Sequence, residues 1–224
     1  MRDLLGRFGL GLADAQLEKL ACFVSLLEHW TAKVDLVSPA PREILITRHI
    51  ADSLAASTLL AEELALDSAH AYLDVGSGAG LPGIVMAVAE PARRIVLAEP
   101  REKRVAFLRE VRRTLQLQNV AIVPKRLAQL DSADVQGVGL VIERALGMED
   151  DFLETSACLV GDGSTLVQMV GPSWQGAVGQ TRAWADVTIK IGKIMGYNLS
   201  EDSGDRRIVV WNVSRETLSR VILS

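Results

Sequence analysis

Residues 72–83 read Tyr-Leu-Asp-Val-Gly-Ser-Gly-Ala-Gly-Leu-Pro-Gly, a short apolar run that passes Asp74 and breaks into Gly76, Gly78 and Gly80. A strand that ends in a glycine-rich turn before a helix exposes backbone N–H groups and lets a ligand approach without meeting Cβ atoms. The turn is a nucleotide-binding arrangement, and Asp74, Gly76, Ser77, Gly78, Gly80 and Leu81 are its candidate contacts. Spacing narrows the ligand. A dinucleotide fingerprint places its third glycine three residues after the second, where this chain has Leu81. An acidic residue beside the turn suits the cationic methionine end of S-adenosylmethionine and would repel a pyrophosphate. S-adenosylmethionine is therefore the expected cofactor, and a tight turn without ligand is the plain alternative.

The texture on either side of this loop predicts the fold class. Leu17, Leu20, Val24 and Leu27 recur at helical spacing over 14–30, with Asp14 as the expected N-cap. After the Ser38-Pro39-Ala40-Pro41 break, a second helix is expected over 42–60 with Ile46, Ile50, Leu54 and Ala55 inward. From Ala71 onward, β-rich runs alternate with helical stretches. Strands are predicted at 71–75, 94–99, 120–124, 138–143, 164–170, 187–194 and 207–213, and helices at 83–90, 101–116 and 149–160. This alternation implies an α/β fold with a doubly wound, mostly parallel sheet; with S-adenosylmethionine as the expected ligand of its first loop, a Rossmann-like class I methyltransferase sheet is the expectation. An N-terminal helical extension over 1–66 precedes the sheet unit over 67–224.

Composition excludes several other classes. The 224 residues hold only Cys22 and Cys158, so a disulfide framework or cysteine zinc site is not expected. His29, His49 and His70 lack metal-ligand spacing. No apolar run approaches the ~20 residues of a membrane span, and no signal-peptide core is expected near the start. A cytoplasmic monomer is the expectation. The net charge of −4 counts against nonspecific coating of nucleic acid. Locally, however, Arg101, Lys103, Arg104, Arg109, Arg112 and Arg113 face only Glu102 and Glu110. Such a helix either contacts phosphates or presents a solvated charged face.

Glu99 stands at the end of the second predicted strand, where a carboxylate can accept both hydroxyls of an adenosine ribose. Absent motifs narrow the reaction further. Methylation at pyrimidine C5 needs a cysteine nucleophile, and neither cysteine ends a predicted strand. Exocyclic amine methylation commonly uses an Asn/Asp-Pro-Pro-aromatic motif, and Ile142-Glu143-Arg144-Ala145 stands at that place. Chemistry without a special base remains, and guanine N7 offers a free lone pair. Catalysis there would consist of alignment and desolvation, with carboxylates tolerating the charge that develops on the base.

Four segments carry a family resemblance: Leu26-Leu27-Glu28-His29-Trp30, Arg48-His49-Ile50-Ala51-Asp52-Ser53, the loop from Asp74 to Gly83, and Lys103-Arg104-Val105-Ala106-Phe107-Leu108. Over nearly its whole length the chain resembles the bacterial glucose-inhibited division protein B family, methyltransferases of guanine N7 in the 530 loop of 16S ribosomal RNA. The resemblance implies that Gly76 and Leu81 line the cofactor, Glu99 takes its ribose, and Leu127 and Ala128 lie along the adenine. It places Arg144 at the cofactor and substrate face, as the candidate catalytic residue, and Arg126 before the adenine loop. Arg48, His49, Lys103, Arg104 and Arg126 are the candidate substrate contacts. Arg48 and His49 either reach the pocket or join Asp52 in a network tying the helical extension to the sheet. The implied partner is 16S ribosomal RNA or the small ribosomal subunit.

Departures from the family pattern occur at Thr31, Asp35 and Ala128, and at Val170-Gly171, where the family has Lys-Gly. That lysine would be a natural phosphate contact. Trp211-Asn212 also lies near a terminus that is usually basic. These features favour, as an alternative, a divergent paralogue that methylates another RNA or a small molecule. A NAD-dependent oxidoreductase and a catalytically silent RNA-binding protein are the remaining readings.

Overall fold

A computed structural model describes residues 1–64, 69–144, 149–199 and 205–215. Helices α1 (Arg2–Gly6), α2 (Asp14–Thr31), α3 (Arg42–Leu45) and α4 (Ala51–Leu64) precede the sheet, with a π-helical turn at Ile46–Ile50 joining α3 to α4. Then come β1 (Ala71–Val75), α5 (Gly83–Ala89), β2 (Ile95–Ala98), α6 (Glu102–Thr114), β3 (Val120–Val123), a 3₁₀ turn (Leu127–Gln129), β4 (Val138–Arg144), α7 (Glu149–Leu159) and β5 (Thr165–Val170). The chain closes with β6 (Thr181–Trp184), β7 (Val187–Tyr197) and β8 (Arg206–Arg215). The expected boundary at 66 falls outside the described residues.

The eight strands lie in the order β3-β2-β1-β4-β5-β8-β7-β6. Strands β1 to β5 are parallel, and β8, β7 and β6 add on as antiparallel neighbours. The order reverses between β1 and β4, so the switch point at which folds of this kind bind ligands lies at the carboxyl ends of these two strands. The glycine loop follows β1 directly. The alternation of side chains sorts the sheet into two apolar faces. Tyr72, Leu97, Ile142 and Val167 share one cluster with Leu20, Phe23, Leu27, Ile50 and Leu54 of the preceding helices. Leu73, Val96, Val141 and Leu166 share the other with Phe152 and Leu153 of α7 and Trp211 of β8. Each fully buried side chain of this size contributes roughly 1.5–3 kcal/mol, which holds the extension on the sheet.

Several expectations change. The cap of α2 is Ala13 rather than Asp14, and Gln16 Oε1 accepts from its N–H at 2.9 Å while Nε2 donates to the Val88 and Ala89 carbonyls. Strand β6 was not anticipated; it is a four-residue edge strand with exposed Thr181 and Ala183, too short and too polar for a periodic signal. The continuous helix from Arg42 to Leu64 is long and apolar enough to span a membrane by length and composition, and most of its apolar stretch is buried inside the fold. That is the packing of a core helix. Cys158 is exposed, although its helix reads as apolar. Trp211 is wholly buried, so its indole belongs to the core.

Candidate cofactor and substrate site

The loop after β1 is shaped by three left-handed glycines, with φ of 67° at Gly76, 53° at Gly78 and 78° at Gly80. A residue with a Cβ is disfavoured in that region, and at Gly80 the space is also filled. An added Cβ would lie 2.5 Å from Ile84 Cγ1 and 3.1 Å from Leu108 Cδ2. The turn is closed by Ser77 Oγ donating to the Asp74 carbonyl at 2.9 Å and by Gly80 N–H donating to the Ser77 carbonyl at 2.6 Å. Leu81 joins Pro82 by a cis peptide bond, and α5 begins at Gly83.

Asp74 ties the loop to that helix. Its Oδ2 accepts from Gly83 N–H at 2.9 Å, whereas Oδ1 is buried with no hydrogen-bond partner among the described residues. Burial pushes the carboxyl up to about 7, against the opposing pull of the Gly83 N–H, the Ser77 hydroxyl and the Arg144 charge. Glu99 bridges the two neighbouring turns. Its Oε2 accepts from Gly78 N–H at 2.9 Å and its Oε1 from Arg101 N–H at 2.8 Å. Each oxygen keeps a lone pair for a further donor.

Arg144 ends β4 on the face occupied by the preceding helices. Its Nη2 lies 3.1 Å from Asp52 Oδ2, donates to the Arg48 carbonyl at 3.0 Å and meets His49 Nδ1 at 3.0 Å. A guanidinium only donates, so Nδ1 of His49 is the acceptor and Nε2 carries the ring proton. Burial, with the Arg144 charge second, pulls the His49 pKa down to about 4, and the ring is neutral at physiological pH. Asp52 is 1% exposed and also accepts from the Tyr197 hydroxyl at 2.8 Å, with Arg206 Nε 4.0 Å away. The π-helical turn supplies both the Arg48 carbonyl and His49 to one guanidinium. Of the two arrangements open for Arg48 and His49, the network tying the extension to the sheet is the one formed. The Arg48 side chain itself is exposed. Arg144 Nη1 is buried and has no hydrogen-bond partner among the described residues.

Other candidate residues lie elsewhere. Arg104 does not face outward with Lys103. Its Nε and Nη2 donate to the Asp35 carbonyl at 3.2 and 2.8 Å, and its Nη1 lies 4.0 Å from Glu99 Oε2. It braces the loop before α3 against the glycine turn. The signal was present, because Arg104 extends the buried stripe of Leu108, Val111 and Leu115 by one helical step. Leu127 is half-buried in the 3₁₀ turn, while Ala128 and Arg126 are exposed beside it. Val170 pairs with Arg207 in the sheet register, so β8 brings an arginine beside the end of β5. Asp52, Tyr197 and Arg206 were not among the candidate contacts. Asp52 had a signal: it is the only charged residue from Ala51 to Leu60, and a lone charge in a buried helix needs a partner.

This set fits an S-adenosyl amino acid. The buried, orphaned Asp74 Oδ1 is an acceptor suited to an ammonium. The orphaned Arg144 Nη1 is a donor suited to a carboxylate, and Glu99 can serve a ribose. Among the described residues no three His, Cys, Asp or Glu side chains gather as a metal site.

Comparison with known proteins gives the same direction. A solved structure of magnesium protoporphyrin IX methyltransferase from Synechocystis PCC 6803 with bound SAM superimposes with a TM-score of 0.56, covering 91% of this chain and 99% of that one at 14% identity, a likeness of fold alone. Ribosomal RNA small subunit methyltransferase G of Desulfotalea psychrophila is 33% identical over 211 residues, 90% of this chain and 92% of the relative. Its counterpart in Haemophilus ducreyi is 31% identical over 92% of this chain and 95% of the relative. The profile of the GidB family, described as rRNA small subunit methyltransferase G, matches residues 16–189. With most of its length matched, the chain belongs to that family.

Proposed function

We propose that this protein transfers a methyl group from S-adenosylmethionine to guanine N7 in the 530 loop of 16S ribosomal RNA. The observation that carries the reading is the pair of orphaned buried atoms at the switch point, Asp74 Oδ1 and Arg144 Nη1, beside a turn held by Glu99. Bound there, S-adenosylmethionine supplies an electrophilic methyl group on sulfur: the N7 lone pair forms the new C–N bond as the C–S bond breaks and sulfur keeps its electron pair. No proton leaves the base, so no general base is required, in keeping with a His49 ring that is neutral and committed to Arg144.

The protein's part is then positioning and electrostatics. Asp74 and Arg144 hold the two charged groups of the amino-acid end, and Glu99 accepts the ribose hydroxyls. Gly76, Ser77, Gly78, Gly80 and Leu81 form the cradle, while Leu127 and Ala128 flank the adenine. Asp52, in turn, fixes Arg144. The Asp52 and Glu143 carboxylates supply negative charge near the face where the methylated guanine becomes cationic. Lys103, Arg126 and Arg48, all exposed, meet RNA phosphates in this reading. The working form is a cytoplasmic monomer acting on the small ribosomal subunit or its RNA.

Val170 favours a second reading, in which the same chemistry is directed at another RNA. Methyl-transfer assays with radiolabelled cofactor on unmodified small subunits, naked 16S RNA and total RNA separate the two. Incorporation into 16S RNA at a single guanine is expected; incorporation into other RNA alone selects the second reading, and none into any RNA overturns both.

A further inference from the structure

The carboxyl ends of the strands account for Asp74, Glu99 and Arg144, but they leave unexplained the far end of α6. This helix starts just after β2, beside the glycine turn, and ends before β3 begins, at the amino ends of the parallel strands. Thirteen residues at 1.5 Å each carry it about 20 Å away. Here Arg109, Arg112, Arg113, Gln116, Leu117 and Gln118 line a shallow hollow. Arg113 is paired with Glu110 at 2.8 Å. The side chains of Arg109 and Arg112 are exposed and make no hydrogen bond or ion pair among the described residues.

An ordinary helix-end role does not explain them. Cations in a last turn satisfy terminal carbonyls and oppose the helix dipole, but the Arg112 and Arg113 carbonyls already accept from the Leu117 and Gln116 N–H groups at 3.0 and 3.2 Å. Arg109 stands a turn earlier. The one acid on this half of the helix, Glu110, is engaged by Arg113 and Thr114. The result is two uncompensated guanidinium groups with two amide side chains around a concavity. A second hollow, lined by Lys33, Arg101 and Lys103 among others, lies at the start of the same helix.

We infer that the hollow at the foot of α6 is a remote phosphate site that holds the sugar–phosphate backbone of the substrate RNA about 20 Å from the methyl donor. The inference rests on the RNA reading above and adds a location to it. Guanidinium forks suit phosphate oxygens and bind them in two-toothed fashion, and amide N–H groups extend the same recognition. An apolar partner does not fit this surface. Among the described residues the only exposed large hydrophobic side chain is Val178, in the loop between β5 and β6, which gives a membrane or an amphipathic peptide nothing to bury. The consequence is a length requirement: RNA that continues about 20 Å past the target nucleotide, roughly six base pairs of duplex, reaches the foot, and a hairpin with a shorter stem does not.

The test uses the full chain with Arg109→Ala/Arg112→Ala, and Lys190→Ala as a control that removes an exposed cation from β7. Binding to full-length 16S RNA and to a short hairpin carrying the target loop is measured between 50 and 200 mM salt, alongside cofactor affinity and thermal melting. The double variant should lose roughly tenfold in affinity for the long RNA, with its salt slope shallower by about 1.5, as expected for two lost phosphate contacts. Hairpin binding, cofactor affinity and melting should match the wild type, and the control should match throughout. Unchanged long-RNA affinity and slope, an equal loss in the control, or a wild-type protein that binds no RNA overturns the inference. If the long-RNA effect appears while no RNA is methylated, the remote site stands and the assignment of the reaction fails. If methylation occurs but the effect is missing, the reverse holds.

Discussion

Arg144 on β4 and Asp52 on α4, 92 residues apart in sequence, meet at 3.1 Å in a nearly dry setting. The pair joins the helical extension to the edge of the crevice, and the Tyr197 hydroxyl and Arg48 carbonyl complete it. A buried ion pair adds little stability over apolar packing, yet breaking it leaves an uncompensated charge. Asp52→Asn is therefore expected to destabilise by about 3 kcal/mol, and Tyr197→Phe by about 1 kcal/mol. Arg144→Met combined with Asp52→Asn should recover part of the loss, because the two sites share one interaction. Chemical denaturation of the wild type, Asp52→Asn, Arg144→Met, their double variant and Tyr197→Phe checks this; strict additivity of the Asp52 and Arg144 changes would contradict the pairing.

Arg144→Lys keeps a charge but lacks the fork that serves Asp52, the Arg48 carbonyl and His49 together. It should raise the cofactor Kd at least tenfold while leaving melting within a few degrees. Isothermal calorimetry and a melting scan on the same preparation separate this from simple misfolding.

Asp74 carries the clearest pH signature. Its carboxyl sits near 7 without ligand, and an ammonium beside it favours the ionised form. Cofactor affinity should climb by up to about tenfold per pH unit from 5.5 toward 7. Asp74→Asn should bind weakly with a flat profile over this range. An unchanged slope in that variant would place the ammonium elsewhere.

His49 gives a stability signature of the opposite sign to that of Asp74. The folded ring has its pKa pulled from about 6.5 to about 4, so the unfolded chain binds more protons between those values. Stability is present above pH 6.5 and is lost on acidification toward 4, by about 3 kcal/mol at the limit. The Asp74 carboxyl, raised from 3.8 to about 7, stabilises at low pH and loses that contribution as pH rises. The two trends oppose each other from 4 to 6.5. His49→Gln keeps an acceptor for Arg144 and removes the acid-sensitive term, so its melting temperature should gain on the wild type by on the order of 5 °C between pH 7 and 4.5. Paired melting curves at four pH values decide it.

The loop glycines should differ in sensitivity. Gly80→Ala combines a left-handed φ with a Cβ 2.5 Å from Ile84 Cγ1, and we expect a loss of more than about 2 kcal/mol. Gly78→Ala meets Arg104 Nη1 at 3.4 Å, an ordinary contact, and should lose about 1 kcal/mol from backbone strain alone. Equal losses would mean that the packing around Gly80 is looser than these distances require.

The alternation of β-rich and helical segments determined the parallel half of the sheet, because strand and helix periodicities are local properties of a chain. The glycine spacing, with Asp74 before it and Leu81 after it, determined a turn that needs left-handed residues, and all three glycines adopt them. Even Arg104 was readable, since it continues a buried stripe. Long-range contacts were not. The meeting of Asp52, Arg144 and Tyr197 spans up to 145 residues and depends on how α4 lies across the ends of β4 and β7, which no local pattern encodes. The order of the antiparallel strands set Arg207 beside Val170, a pairing that neither segment signals on its own. The physical reason is common to these cases: hydrogen-bonded geometry along the chain follows from neighbouring residues, whereas the partners of a buried charge are chosen by the packing of whole elements.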